Sequence, residues 1–500
     1  RGFLQGALGG IVSGILAGCE KEATGPGSFA AVKGTSSAER AVEGARRFSG
    51  TSLKIGSETG QQAQELLRFS GPLWERLTGI RVDVVEIGSP VEQYHRIMAE
   101  HTARTKAFDC ASIVPAWMPD LLAAGALEPL DEYMAHYMMP SDLDDYLPLY
   151  RSIGIWDGHR YGLFDDGDML LLYYRRDLFE DERNQRAFES QYGRALGDPR
   201  SYDWRQFVDA ARFFTKPDGA ELYGMAPMQR ELEWAWFQYL LRVNGGEFFD
   251  VETMRSMVGA EPGRRALEQL NQMRRFMPVM SSTNVASTTT LGSYLSGRAA
   301  MATFWPPLGR LAEGYGQEDA AGNVRARTQV AGKTGYALFP GGRTEAAVGF
   351  MLGVLSRSHH KEAAYLFIQW LTSPEVSLKR VMLPYSWRDP YRWSHVESPL
   401  YRSLWPSAGE YLDTLKTAAS GAALSDLCVL SETDYEEAFY HTMTDIRMGD
   451  QATIGADQLS SRWDAITDRY GRNRQRAAYT QFLKRQNEAS SRGKSPGRAM

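Results

Sequence analysis

SLKIGS at Ser52–Ser57, IRVDVVEI at Ile80–Ile87 and FDCASIV at Phe108–Val114 decide the fold class. Each is a short apolar run, and the second alternates apolar and polar side chains as a half-buried strand does. Between them lie QQAQELLRFSGPLWERLTG (Gln61–Gly79) and VEQYHRIMAEHTA (Val91–Ala103), with apolar residues at helical spacing, the first interrupted at Pro72. Strand, helix, strand, helix, strand predicts βαβ units, hence an α/β fold with helices on the faces of a parallel sheet. Ligands of such sheets lie beyond the carboxyl ends of the strands. Ser57, Glu58 and Thr59 after the first strand, and Trp117 after the third, are therefore the first binding candidates.

Further along, DWRQFVDAARFFTK, ELEWAWFQYLLRVNGG and EPGRRALEQLNQMRRFM read as amphipathic helices. AAMATF is a short strand leading into WPPLG, and TGYALFPGG and AVGFMLGVLS are extended segments around a Gly-rich turn. HHKEAAYLFIQWLTS is a helix that stops before Pro374, because the residue preceding proline disfavours helix. There is no internal repeat and no phosphate-binding glycine pattern.

The 500 residues suffice for two hydrophobic cores. A net charge of -5 gives no electrostatic footprint for nucleic acid. Twelve Trp and 24 Tyr exceed the needs of a core and suit surfaces that are apolar on one side and hydrogen-bonding on the other. Three Cys and eight His form no metal-ligand spacing, so no metal and no cofactor is expected. Cys110 and Cys428 could pair in an oxidising compartment, but they are far apart in the chain and sit among apolar residues, so they read as two buried free thiols, with a disulfide as the alternative.

The apolar run FLQGALGGIVSGILAG (Phe3–Gly18) falls short of the roughly 20 residues that span a bilayer and reads as an export signal. It ends in LAGC, which resembles the bacterial lipobox; that resemblance makes Cys19 a lipid-anchor residue. RGFLQ, given a further Arg upstream, would resemble the twin-arginine export motif, so both export routes stay open. Residues 20–50, small and turn-rich, read as a flexible tether, and the basic tail 481–500 as a solvated, disordered end.

Five segments taken together resemble the carbohydrate-type extracellular solute-binding proteins of bacterial ABC importers, the group of maltose- and glycerol-phosphate-binding proteins. They are WERLTGIRVDVVEI, WMPDLLAAGALEPLDEYM, YGLFDDGDMLLLYYRRDLFED, LSGRAAMATFWPPLG and EAAYLFIQWLTSPEV, in the family's order. The resemblance implies a two-lobe periplasmic binding protein fold, each lobe a mainly parallel sheet flanked by helices. Residues 51–168 with 345–383 would form one lobe, and 169–344 with 384–480 the other. DGDMLLLYYRRDLF (Asp166–Phe179), FPGGRTEAAVGF (Phe339–Phe350) and the region of LPYSWRDP (Leu383–Pro390) fit the hinge crossings. It further implies a monomer, exported and anchored at the membrane through Cys19, that delivers its solute to ABC permease subunits.

A sugar presents hydroxyls at its rim and C–H patches on its faces, so its site needs carboxylates or amides and flat rings. FDDGDM supplies Asp166 and Asp168, which project to one side of a strand. Trp117, Trp234, Trp305 and Trp387 are the ring candidates, with Trp305 and Trp387 favoured for their loop-like surroundings and Trp236 read as buried. Phe350 ends the second crossing, and Arg388 can bridge carboxylate and ligand. A phosphate would call for clustered Arg or Lys, and the candidates are mainly acids. The reading is therefore capture of a neutral sugar or polyol, with no catalysis. A glycerol-phosphate binder of the same fold, a signalling or adhesion module, and a hydrolase using Asp166 and Asp168 are the alternatives.

Overall fold

The structure, a computed structural model, describes residues 29, 32–216, 221–280, 285–316, 327–346, 349–449 and 451–492. Cys19 and the apolar run before it lie outside the described residues.

Thirteen strands occur among these residues: β1 (Ser52–Ser57), β2 (Arg81–Glu86), β3 (Cys110–Ile113), β4 (Ile155–Trp156), β5 (His159–Arg160), β6 (Leu163–Asp166), β7 (Leu171–Arg175), β8 (Tyr223–Met225), β9 (Ala299–Phe304), β10 (Thr334–Ala337), β11 (Thr344–Ala346), β12 (Phe350–Val354) and β13 (Ala423–Ser425). One sheet runs β2-β1-β3-β12-β6 and a second runs β10-β7-β9-β8. β1 is parallel to β2 and β3, whereas β12 is antiparallel to β3 and β6. In the second sheet β7 is antiparallel to β10 and β9, and only β8–β9 is parallel. Both sheets are thus mixed rather than mainly parallel. The βαβ units at Ser52–Ile113 give the parallel part; β12, which meets β3 antiparallel, and β7, antiparallel to both its neighbours in the second sheet, adjoin the segments where the chain changes sheets.

The first sheet is covered by helix Lys361–Thr372, whose residues 363–372 are all buried. Its face carries Phe367 and Trp370, which meet Trp74 at ring separations of 5.4 and 5.3 Å. Leu53, Ile55, Leu352 and Val354 complete this core from the strands. Helix Arg230–Val243 packs its Trp236 on Phe339 at 4.0 Å in the other lobe, where Trp236 is fully buried.

The residues between Gln61 and Thr78 form a helix, a π-turn at Leu66–Ser70, and a second helix starting at Gly71. The wide turn lets the chain stay helical into Pro72, which has no N–H to give. Gln62 and Glu65, on the first of these helices, are both buried.

Both chain ends depart from the sequence expectation. Within the expected tether, Ser37–Ala45 is an α-helix, capped by Ser36 accepting the N–H of Glu39. Ser37, Ala41, Gly44 and Ala45 are buried, and a Cβ at Gly44 would stand 3.0 Å from the Tyr137 ring and 3.4 Å from Leu366. Gln369 donates to the carbonyl of Ser37 at 2.8 Å. The small side chains that suggested a linker are a stripe for close helix packing. The helix Arg472–Arg492 runs on into the expected disordered tail, through residues 481–492. Tyr479 and Phe482 are buried, and buried Gln475 accepts the N–H of Leu430 and donates to its carbonyl. Its exposed arginines hid an apolar face. Residues 493–500 lie outside the described residues.

Cys110 and Cys428 are free and buried. His395 is fully buried between Ser377 Oγ, 2.9 Å from Nε2, and the N–H of Tyr391, 3.4 Å from Nδ1. Burial, and then Arg392 and Arg380, hold its pKa well below the ordinary histidine value of 6.5. The unfolded chain binds this proton more readily than the folded one, so stability is lost as pH falls below about 6.5. Urea titrations from pH 7.5 to 5 are expected to show a drop that is smaller in His395→Gln than in the parent chain.

Candidate functional site

Two chain crossings join the sheets, a third runs between two helices, and the first touches both of the others. The first runs from β6 to β7 through Gly167 and Asp168, and the second from β10 by way of β11 to β12. The third leads from Leu383 toward Tyr391. The N–H of Leu170 donates to the carbonyl of Glu345 at 3.0 Å, laying the first beside the second. The N–H of Gly167 donates to the carbonyl of Asp389 at 3.1 Å, laying the first beside the third. A Cβ at Gly167 would stand 2.2 Å from the carbonyl oxygen of Pro390, so only glycine fits there.

Asp165 and Asp166 end β6, and both are buried. Asp165 takes an ion pair from Arg380 and another from Arg388 Nη1 at 3.0 Å. Arg380 also reaches Glu65 Oε2 at 2.7 Å. Burial pushes the Asp165 pKa up, but Arg380 and Arg388 outweigh it and hold it below the usual carboxylate range. Asp166 accepts the N–H of Asp389 at 2.7 Å on Oδ1 and Gln62 Nε2 at 2.6 Å on Oδ2. Both of its oxygens therefore serve to tie the third crossing to the first. Burial, opposed by Arg388, the Asp389 N–H and Gln62, leaves its pKa at about 6.

Asp168 is half-buried and faces Asp389. Burial and then Asp166 raise both pKa values well above the ordinary one, and the two side chains share a hydrogen bond. Arg310, on the helix Pro307–Ala312 that follows Trp305, approaches Asp389 at 3.4 Å. One oxygen from each of Asp166, Asp168 and Asp389 lies within 4.8 Å of the others, so this trio is the candidate metal-ligating group among the described residues.

Glu58, half-buried just beyond the carboxyl end of β1, lies in the field of these groups. Burial first, then Asp166, raise its pKa to about 7; Arg388 acts against them, and Glu231 adds to them. Glu231 begins the helix Arg230–Val243 of the other lobe, so Glu58 faces across the junction. The antiparallel register Leu171↔Phe304 carries Trp305 to the same end of the ladder as Asp168. Trp305 and Trp387 are half-buried, and the Trp387 carbonyl accepts from Gln62 at 3.5 Å.

The sequence candidates thus divide. Glu58, Asp168, Trp305 and Trp387 stand partly exposed where the lobes meet. Asp166 and Arg388 are no free ligand groups, being fully buried and committed to the crossings. Trp117 belongs to the core and packs on Tyr94 at 5.6 Å. Trp234 is a core ring against Phe439 and Trp463, its Nε1 donating to Glu432 at 3.1 Å. Phe350 is buried in register with Asp166. Those three lie among apolar neighbours that the local sequence could not reveal. Missed altogether were Gln62, Glu65, Arg310, Arg380 and Asp389. Gln62, four residues after Glu58 at the start of the next helix, was the one with a local signal.

Away from the crossings, the lobes meet closely. Pro115, Ala116, Ser152 and Ile153 face Ser425, Asp426, Cys428, Phe482 and Arg485 across a gap of about 30 Å³. The N–H of Ser431 donates to Asp120 at 2.8 Å over the same boundary. An open groove of about 690 Å³ exists elsewhere, lined by Trp204, Glu268, Gln272 and Arg275 among others, and no crossing residue contributes to it.

Residues 56–377 match the model for bacterial extracellular solute-binding proteins. The chain belongs to that family. This solute-binding protein is 26% identical over 263 residues to a mannitol-binding protein of Pseudomonas aeruginosa, an overlap of 50% of the chain and 53% of the relative. The chain therefore matches about half the length of that curated relative. A probable amino-acid ABC transporter periplasmic-binding protein of Sinorhizobium fredii is 23% identical over 350 residues, covering 66% of this chain and 71% of the relative. Among solved structures, maltose-bound MalE3 of T. maritima superposes with a TM-score of 0.66 at 18% identity, over 83% of this chain and all of that one. An Agrobacterium vitis solute-binding protein with bound D-mannitol gives 0.66 at 18%, over 84% and 99%. At these identities they share the two-lobe fold.

Arg380 supports two buried carboxylates, and removing one member of such a group costs about 3–5 kcal/mol. Arg380→Met is expected to lower the unfolding free energy by that amount in urea titrations. For Glu58 the direction is opposite. A carboxyl whose folded pKa is near 7 favours folding at low pH and loses that contribution as pH rises through 7. Glu58→Gln is expected to stabilise the protein at pH 8 by on the order of 1–2 kcal/mol and to leave it unchanged near pH 4.

Proposed function

We propose that this protein is the substrate-binding component of an ABC transport system and captures a sugar or polyol at the junction of its two lobes. The observation that carries the reading is the set Glu58, Asp168, Trp305 and Trp387: acceptors and rings, partly exposed, drawn from segments that meet at the three crossings. Such a set matches hydroxyls on a rim and C–H faces. The mannitol-binding relative supports a polyol or sugar as the solute class.

The three guanidiniums at the crossings, Arg310, Arg380 and Arg388, all face carboxylates. This disfavours an anionic solute such as a glycerol-phosphate. Asp166 has both oxygens engaged, which disfavours a hydrolase that would need it as a second working carboxylate. The protein therefore acts by binding.

The lobes close because contacts to both exist together only in the closed form. Moving the balance from 1:99 to 99:1 needs about 5.5 kcal/mol of preference. Two to four hydrogen bonds to charged acceptors, at about 1.5–3 kcal/mol each, supply it. In this reading the protein is exported, anchored through a lipid on Cys19, and hands its solute to membrane permease subunits.

Thermal unfolding in the presence of mannitol, ribitol, maltose and their phosphates tests the reading. A solute at 100 times its Kd adds about 2.7 kcal/mol. Trp305→Ala and Trp387→Ala are expected to abolish the shift with little change in the ligand-free midpoint. Trp117→Ala and Trp234→Ala are expected instead to cost about 3–5 kcal/mol of stability. Shifts that persist in both Trp305→Ala and Trp387→Ala would place the solute elsewhere.

A further inference from the structure

The lobe that carries the helix Arg230–Val243 has a pocket of about 160 Å³ to which no crossing residue contributes. Met228, just after β8, forms one side of it. Glu233 comes from the helix Arg230–Val243, and Arg447 from the last turn of the helix Glu432–Met448. Arg274, Met277, Met280 and Val285, beyond the helix Glu261–Met273, supply the rest.

Its walls are apolar. Met228 and Val285 are buried and Met277 is half-buried, whereas Val279 at the pocket is 99% exposed and Met280 38%. Apolar side chains left in water around a concave surface mark a place where an apolar group docks. Unbranched methionines adapt to the shape of what they receive. A cavity of about 150 Å³ admits benzene, so the apolar part of a guest here is about one ring or one short chain.

The charges in the pocket do not cancel. Arg447 pairs with Glu233, and their side chains are only 11% and 7% exposed. Arg274, half-buried next to them, makes no ion pair and no side-chain hydrogen bond among the described residues. Two guanidiniums therefore face one carboxylate, and one positive charge is left over. Burial and then Arg447 lower the Arg274 pKa, and Glu233 offsets them only in part. A charge held out of water without a partner is unfavourable.

We propose that this pocket binds a small monocarboxylate, its anion on Arg274 and its apolar part among the methionines. A carboxylate accepts two parallel N–H bonds from one guanidinium, and the Arg274 fork is uncommitted. One such anion cancels the charge left over. Inorganic phosphate matches the charge but leaves the apolar walls wet, and a neutral polyol matches neither. The pocket shares no residue with the set Glu58, Asp168, Trp305 and Trp387, so the proposal stands or falls apart from the solute reading.

Calorimetric titration of benzoate and of hexanoate into the full chain, with no sugar present, tests it. At least one acid is expected to bind at one per molecule and to raise the melting temperature. Benzamide and hexanamide, neutral and of the same shape, are expected to bind at least tenfold more weakly than the acids, as is inorganic phosphate. Arg274→Met removes a side chain without a protein partner, so the variant is expected to melt at or above the parent when no acid is present. It is expected to weaken the acid at least tenfold and to leave amide binding unchanged, which a damaged pocket would not do. No heat and no melting shift with either acid would overturn the proposal. Equal affinity for acid and amide in the parent chain, or undiminished acid binding in Arg274→Met, would overturn it too.

Discussion

The guanidinium of Arg380, shared between Glu65 and Asp165 with essentially no access to water, is the contact on which the rest of the molecule depends. It binds the helix beyond β1 to the end of β6, where the chain leaves the first sheet. Arg388 repeats the device from the third crossing. Charged pairs in a dry interior contribute little net stability compared with apolar packing, but they tolerate few alternative geometries. At a place where three segments of chain from two lobes must stay in register, that directional demand has more use than additional apolar area.

Around this anchor the first crossing is held by its backbone, by one carboxylate and by the Tyr150 and Thr344 hydroxyls, which donate to the carbonyls of Gly167 and Leu170. Gly167 admits the Pro390 carbonyl where any side chain would collide, and Asp166 receives the neighbouring amide. The acids that follow, Asp168 and Asp389, are left facing one another. Rigid fastening and a hydrogen-bonded pair of perturbed carboxyls thus come from the same few residues, a combination found elsewhere at sites where such groups have a task.

What could be read from the sequence follows from how local each signal is. The βαβ pattern at Ser52–Ile113 depends on neighbours in the chain, and it gave the α/β class. The direction of β12 and β7 depends on which sheet the chain has just left, so the sheets came out mixed. Composition misled at both ends: Ser37, Ala41 and Gly44 are small because a helix packs closely on them, and the arginines of the last helix conceal Tyr479 and Phe482. Strand ends and loop surroundings pointed to Glu58, Asp168, Trp305 and Trp387, which are partly exposed and make up the proposed solute set. The roles of Gln62, Arg380 and Asp389 were not, because each is defined by a partner far away in the chain. Trp117 and Trp234 carried the same residue type as the partly exposed tryptophans, and only packing separates them.

The Cys428 thiol has a consequence for watching the molecule work. It lies in the narrow gap between the lobes, donates to the Pro115 carbonyl at 3.4 Å, and is covered by Arg485 of the last helix. Burial pushes its pKa up, so in this arrangement it is both hidden and in its unreactive form. Separation of the lobes would uncover it. The native chain therefore carries its own chemical probe of aperture, which alkylates slowly while the halves are together and faster as they part.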